Sequence, residues 1–320
     1  MTLLKKVSTD IEHFLQQYPH GIVVFWWATA TGKSSLSVEF ARMRAQMAKP
    51  SEIISADSRQ IFKYMNIGTD KVSDDILSEI PHHQINIVEP DWFYTAGAWK
   101  KDVCDLIPAI QARGNLPLIV GGTGLYIDTL YKNYSVPEVE ADFELRAQRE
   151  QEDLAEPWIL RKRLYAIDPT EAKKHHPHST RYIIRALEIY EKTGLTKTDA
   201  AKEQPVQWPM LMIWLWRERD DTNTRIANRV GTMIDSGLIE EVQRLLDQWY
   251  SPDLQSMQGI GYKETAEYLA WHLTRKQLEE QIIIHTQQYA KRQRTRFRRY
   301  ISDAENNPKE GIVYKVYELE

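Results

Sequence analysis

Residues 22–34 read Ile22-Val23-Val24-Phe25-Trp26-Trp27-Ala28-Thr29-Ala30-Thr31-Gly32-Lys33-Ser34. Six apolar residues in a row, too few for a helix of useful length, predict a buried strand over 22–27. Ala28–Lys33 is a short turn of small and polar residues. From about Ser34 to Ala48, apolar Leu36, Val38, Phe40, Ala41 and Met43 predict a helix. A strand, a turn of small residues and a helix opening on Lys-Ser is the arrangement that holds phosphate. Backbone N–H groups surround the oxygens, Lys33 reaches the outer phosphate, and the Ser34 hydroxyl can ligate Mg²⁺. The helix N-terminus adds partial positive charge. Trp27 stands where the pattern G-x-x-x-x-G-K-S has its first glycine. The alternative is an ordinary strand–turn–helix.

Outward from this stretch the same alternation continues. Glu52–Ala56 predicts a second short strand, ending at Asp57-Ser58-Arg59-Gln60. A helix follows over about Gly97–Ala112, then a third strand, Leu116–Val120, closed by Gly121-Gly122-Thr123-Gly124. Alternating strands and helices predict an α/β fold of the P-loop type, a mostly parallel sheet flanked by helices. Each candidate site segment falls at the carboxyl end of a strand, where open α/β sheets bind ligands. Residues 1–135 form the first part of this core. Charged helical sequence over 136–200 predicts a helical insertion. Residues 201–320 return to the core through a strand at 210–216 and a helical C-terminal region from Asp221 to about Tyr300.

Composition narrows the class. The 320 residues are 42% hydrophobic and 27% charged, with a net charge of −4; those values suit a globular protein with a real core. No apolar run reaches membrane-spanning length, and residues 1–20 lack a signal-peptide core, so a cytoplasmic protein without membrane attachment is expected. A single cysteine, Cys104, excludes a disulfide framework and a cysteine-based zinc site. His82-His83 and His175-His176-Pro177-His178 lack the i, i+4 spacing with acidic support that a helical metal site shows. Between Glu280 and Asp303 there is no acidic residue. Lys291, Arg292, Arg294, Arg296, Arg298 and Arg299 crowd there with Tyr289, Phe297 and Tyr300. Basic density interleaved with aromatics suits a nucleic-acid backbone and splayed bases; a solvated helix face is the alternative.

Taken in order, these segments resemble the tRNA dimethylallyltransferases (tRNA isopentenyltransferases). The stretches that carry the likeness are Thr29–Ser34, Ser55–Gln60, Asn66-Ile67-Gly68-Thr69 and Pro81–Ile85, then Gly121–Tyr126 and Ile184–Glu188. Met257–Glu264 and Tyr289–Gln293 complete the set. The resemblance runs from about Ile22 to Arg299. It implies transfer of a dimethylallyl group from dimethylallyl diphosphate to N6 of the tRNA adenosine 3′ of the anticodon, position 37, with Mg²⁺ at Ser34. It assigns diphosphate to Thr29, Ala30, Thr31, Gly32, Lys33 and Ser34, with Arg219 completing the clamp. It makes Asp57 the base that takes the amine proton and puts Thr123 in the reaction channel. It gives tRNA contacts to Asp57, Ser58, Arg59, Gln60, Arg181, Arg185, Lys291 and Arg292, although Tyr182 stands where the family usually has Arg. A monomer is expected.

Prenylation of free AMP, phosphoryl transfer by a P-loop kinase and a catalytically dead RNA-binding protein are the alternatives. AMP prenylation needs neither the helical insertion nor the basic C-terminal helix. Trp27, Trp214, Trp249 and Trp271 all fall where the resemblance expects Gly. The chain holds 14 Gly, about 4% against a usual ~7%, and 10 Trp. Either UGA codons written as Trp are read as Gly in the source cell, or the loop has decayed; Trp27 is expected to block the turn that receives diphosphate.

Overall fold

The computed structural model describes residues 2–135, 137, 139, 142–176 and 179–319. Six strands follow one another as β1 (Ile22–Trp26), β2 (Ser51–Ala56), β3 (His82–His83), β4 (Leu116–Gly121), β5 (Met210–Arg217) and β6 (Ile312–Leu319). They form one sheet in the order β3-β2-β4-β1-β5-β6, and every pairing is parallel. All residues of β1, β2 and β4 are buried, which is why these strands read as continuous apolar runs without alternation.

The helices are α1 (Leu3–Gln17), α2 (Lys33–Gln46), α3 (Asp74–Glu79), α4 (Ala96–Ala112), α5 (Gly124–Tyr131), α6 (Phe143–Ala155) and α7 (Ile159–Ile167). They continue as α8 (Pro169–Lys174), α9 (Thr180–Thr193), α10 (Lys197–Ala200), α11 (Arg219–Asp235), α12 (Leu238–Asp247), α13 (Tyr262–Leu269) and α14 (Arg275–Asn306). Two compact units result. One comprises residues 1–95, 101–127 and 207–320; the other comprises residues 96–100 and 128–206. The helical unit is thus wider than the expected 136–200. Val136 itself, like Pro177 and His178, lies outside the described residues.

Within the sheet unit, Val7, Ile11 and Phe14 of α1 and Leu36 and Phe40 of α2 pack on Val23, Phe25, Ile53, Leu118, Leu211 and Ile213. The helical unit closes on its own small core of Leu160, Leu164, Ala172, Ile183, Ile184 and Leu187. Its α9 carries apolar residues on one face only, and the buried set Ile183, Ile184, Leu187 follows that spacing.

Two strands escape the sequence reading. β6 adds to the edge of the sheet beyond β5, where a helical end was expected. β3 is only His82–His83, and both histidines make hydrogen bonds within the fold. His83 Nε2 lies 2.6 Å from Glu52 Oε2, and His82 Nδ1 lies 2.7 Å from the Ile80 carbonyl. Burial opposes the Glu52 charge, but hydrogen bonds from Arg113, Asn115 and His83 outweigh it and hold the carboxyl down to about 2. In the helical unit His175 Nε2 sits 2.9 Å from Glu171 Oε1.

Candidate active site

The carboxyl ends of β1, β2 and β4 lie side by side, with Trp26 and Ala56 both in register with Gly121. A side chain at 121 could not exist there, since its Cβ would come within 2.2 Å of the Ala56 carbonyl oxygen. The three loops that follow therefore converge. The loops after β1 and β2, with Val120 and Gly121 at the end of β4, line a cavity of about 420 Å³.

The loop after β1 turns into α2 through Gly32, whose φ of 91° is open to glycine and costly for any other residue. Thr31 Oγ1 donates to the Ala28 carbonyl at 2.9 Å, and the Leu36 N–H to the Gly32 carbonyl at 3.1 Å, so the turn is held from inside. Lys33 and Ser34 head α2, and both line the cavity. Burial lowers the Lys33 pKa to about 8; nearby Asp57 and Asp70 resist that fall and Arg229 adds to it.

The Trp27 indole does not block this loop. It is buried and stacks on Phe297, with centroids 4.8 Å apart and planes 24° apart, and lies 6.5 Å from Trp214. Trp27 is also absent from the residues with positive φ. The expected obstruction is corrected on both counts, because the indole packs against α14 and lines no part of the cavity.

Asp57 follows β2 and closes a turn on itself. Its Oδ1 accepts the Arg59 N–H at 2.9 Å. Thr123 Oγ1 accepts the Ser58 N–H at 3.0 Å, and the Thr123 N–H donates to the Ala56 carbonyl at 3.0 Å. Asp57 and Thr123 are thereby brought together from two loops 66 residues apart in sequence. Gln60 serves the loop itself: Ser55 Oγ donates to its Oε1 at 2.9 Å, and its Nε2 donates to the Thr69 carbonyl at 3.2 Å. Arg59 donates to the Gln255 carbonyl.

One expected clamp residue stands elsewhere. Arg219 is exposed at the start of α11, lines no part of the cavity, and faces Arg294. The arginines at the loop are about two and three turns further along α11. Arg225 Nε donates to the Ala30 carbonyl at 3.0 Å, and Arg229 Nη1 donates to Thr29 Oγ1 and Asp70 Oδ2, each at 3.0 Å. Their i, i+4 spacing is the signal that could have found them, since it puts both on one helix face. Asp70 belongs to the Asn66–Thr69 turn, which α12 fixes: Glu241 accepts the Asn66 and Ile67 N–H groups at 3.0 Å and the Tyr262 hydroxyl at 2.5 Å.

The long helix α14 closes the site. Gln293, buried, accepts the Thr29 N–H at 2.9 Å and donates to the Gly122 carbonyl at 2.7 Å, bridging the first and third loops. Tyr289 lines the cavity, and burial beside Asp57 pushes its hydroxyl up to about 12. The aromatics further along do not serve as stacking platforms. Phe297 and Tyr300 are buried, each 4.4 Å from Trp26 with edge-on rings. Lys291, Arg292, Arg298 and Arg299 are exposed on the opposite face, and Arg292 reaches the cavity rim. In the helical unit, Arg181 is exposed on α9, while Arg185 is tied to Glu188 at 2.5 Å.

Val38, Ile53, Val72, Val120, Met233 and Ile282 add apolar wall, interspersed with polar Ser37, Ser55, His82 and Thr286. The cavity thus combines the cations Lys33, Arg229 and Arg292 with apolar wall, as an anionic head on a short hydrocarbon tail requires.

A family model described as IPP transferase matches residues 60–300. A tRNA dimethylallyltransferase of Pelotomaculum thermopropionicum is 43% identical over 281 residues, covering 87% of this chain and 88% of its own length. Another, of Thermotoga neapolitana, is 41% identical over 272 residues, with 85% and 87% covered. Among solved structures, the full-length tRNA isopentenylpyrophosphate transferase of Bacillus halodurans superposes with a TM-score of 0.64 at 33% identity, covering 93% of this chain and 90% of that one. A eukaryotic dimethylallyltransferase captured acting on tRNA gives a TM-score of 0.74 at 29% identity, with 92% and 73% covered. With the family model spanning most of the chain, and relatives above 40% identity covering more than four fifths of it, this protein belongs to the IPP transferase family, that of the tRNA dimethylallyltransferases.

Proposed function

We propose that this chain transfers the dimethylallyl group of dimethylallyl diphosphate to N6 of adenosine 37 in tRNA, releasing diphosphate. The observation that carries the reading is one cavity lined by Lys33 and Ser34 of the loop after β1, by Arg229, by Asp57 and by apolar side chains, with Thr123 bonded to the Ser58 N–H beside Asp57.

The new bond joins the allylic carbon to N6, and the carbon–oxygen bond to diphosphate breaks. Lys33, Arg225 and Arg229 offset the charge gathering on the leaving group, which is where preorganised cations lower a barrier most. Asp57 Oδ1 is held by the Arg59 N–H, leaving the second carboxylate oxygen to take the amine proton. Adenine's exocyclic amine is a weak nucleophile, so holding it against the allylic carbon supplies much of the rate. The base has to leave the anticodon stack to reach the cavity. Among the described residues no three metal-ligating side chains gather. The donor set at the loop, one Ser34 hydroxyl with the diphosphate oxygens, nevertheless fits Mg²⁺, which keeps waters and leans on substrate phosphates. There Mg²⁺ would share the leaving-group charge.

Arg219 moves from the diphosphate to the tRNA in this reading. Burial and the neighbouring charges of Arg219 and Arg298 lower the Arg294 pKa. Three guanidinium groups close enough to repel one another suit a tRNA phosphate better than a solvated face with mixed signs.

Labelled dimethylallyl diphosphate offered to tRNA and AMP in parallel tests the proposal. Label in tRNA, lost with Asp57→Asn, is the expected result. Label in AMP alone, or none in either, would refute it. No helix among the described residues is long and apolar enough to cross a membrane.

A further inference from the structure

Three tryptophans of this chain sit in backbone conformations built for glycine. Trp158, Trp249 and Trp271 have φ of 77°, 68° and 63°. A bulky side chain at positive φ is a genuine outlier. Of the 23 Phe and Tyr residues only Tyr64 shares it, against three of ten Trp. The excess therefore belongs to tryptophan and not to large aromatics in general.

Local hydrogen bonds say which motif each position serves. At the end of α12, the Trp249 N–H donates to the Leu246 carbonyl at 2.9 Å and the Tyr250 N–H to the Leu245 carbonyl at 3.2 Å. At the end of α13, the Trp271 N–H donates to the Tyr268 carbonyl and the His272 N–H to the Glu267 carbonyl, both at 3.0 Å. Those paired bonds define the Schellman ending, whose left-handed residue is usually glycine. Helix α4 ends with the same pair of bonds around Gly114, at φ 77°. Helix α2 ends that way around Ala48, the smallest side chain after glycine.

Trp158 serves a different motif. The Ile159 N–H donates to the Glu156 carbonyl at 3.2 Å across Pro157-Trp158, and Trp158 has φ 77° and ψ 3°. Those are the angles of the third residue of a type II turn, where Pro-Gly is the favoured pair.

The indoles of Trp249 and Trp271 do little for the fold. Trp249 is 93% exposed and Trp271 94%. A large apolar side chain placed in water, on a backbone that opposes it, has no folding role.

We infer that positions 158, 249 and 271 are glycine in the protein as its own cell makes it, through UGA codons that are written as Trp and decoded as Gly. The inference is independent of the proposed function, because none of the three residues lines the cavity. Trp27 and Trp214 differ: neither has positive φ, and both indoles are buried together, although the Trp214 Nε1–H has no acceptor among the described residues.

The test is the mass of the native peptides spanning 158, 249 and 271, taken from protein purified from its source cell. Glycine at all three is expected. Tryptophan at any of them overturns the inference there. A second measurement reads the physical premise. The written chain and its Trp158→Gly/Trp249→Gly/Trp271→Gly form are unfolded in denaturant beside Trp92→Gly, an exposed Trp with no positive φ. Each relieved residue should raise the folding equilibrium constant on the order of tenfold, and Trp92→Gly should not raise it. A triple variant no more stable than the written chain would overturn the premise.

Discussion

Gln293→Leu separates a helix that merely packs from one that holds the catalytic loops in place. Leucine keeps the size and removes both hydrogen bonds, one from the Thr29 N–H and one to the Gly122 carbonyl. The Thr29 N–H is half-buried at the cavity and the Gly122 carbonyl, which keeps a Tyr289 hydroxyl at 3.4 Å, is buried, so losing the two bonds costs at most about 1–3 kcal/mol each. The sum is at most roughly 2–6 kcal/mol before the loops relax. If about 3 kcal/mol of it falls on the substrate-bound state, kcat/KM drops about 10²-fold, at 1.36 kcal/mol per decade. The loss should appear chiefly as a higher KM for dimethylallyl diphosphate, because Thr29 belongs to the phosphate loop. The tRNA Kd, set by exposed basic residues, should hold. Gln293→Glu still accepts from Thr29 but turns a carboxylate oxygen toward the Gly122 carbonyl, so its effect should be intermediate. Steady-state kinetics with varied diphosphate, alongside tRNA binding, make the measurement. An unchanged KM in a folded Gln293→Leu protein would refute the bridging role.

Asp57→Asn should cut prenyl transfer by ~10²–10⁴-fold, the usual value of a general base, and leave tRNA affinity nearly intact; single-turnover transfer with filter binding checks both. Lys33 titrates near pH 8 instead of 10.5 because it is buried, so the KM for dimethylallyl diphosphate should climb as pH rises through 8, with proton uptake on binding. Lys33→Arg should flatten that profile. Folding runs the other way: between about 8 and 10.5 the unfolded lysine holds more protons than the folded one, so this group adds stability as pH rises across that window. Arg229→Ala should raise the diphosphate KM, whereas Arg219→Ala should leave it and lower the salt slope of tRNA binding by about 0.7–0.9 per lost phosphate contact. A diphosphate defect in Arg219→Ala would return that residue to the clamp.

The parts of this protein legible in the sequence are those whose physics is local. Strand β1 announces itself because a parallel strand buried on both faces has no room for polar alternation. The phosphate loop is legible because its small residues, Gly32 and Lys33 act within one turn. Asp57, Thr123 and the loop residues show themselves by falling at strand ends. Tertiary structure decided what depends on contacts between distant segments. The i, i+4 spacing of Arg225 and Arg229 puts them on one helix face, but only the docking of α11 decides that this face, and not Arg219, meets the loop at Thr29. β6 is eight residues with no partner in sequence, and becomes a strand by pairing with β5. Phe297 and Tyr300 read as stacking platforms beside six basic residues, yet the periodicity of α14 turns both rings inward onto Trp26. The tryptophans divide the same way. Composition alone marks too many of them and too few glycines, but only the sign of φ tells Trp158, Trp249 and Trp271 from Trp27, because left-handed backbone is a property of how a helix or turn ends and not of which residue is written there.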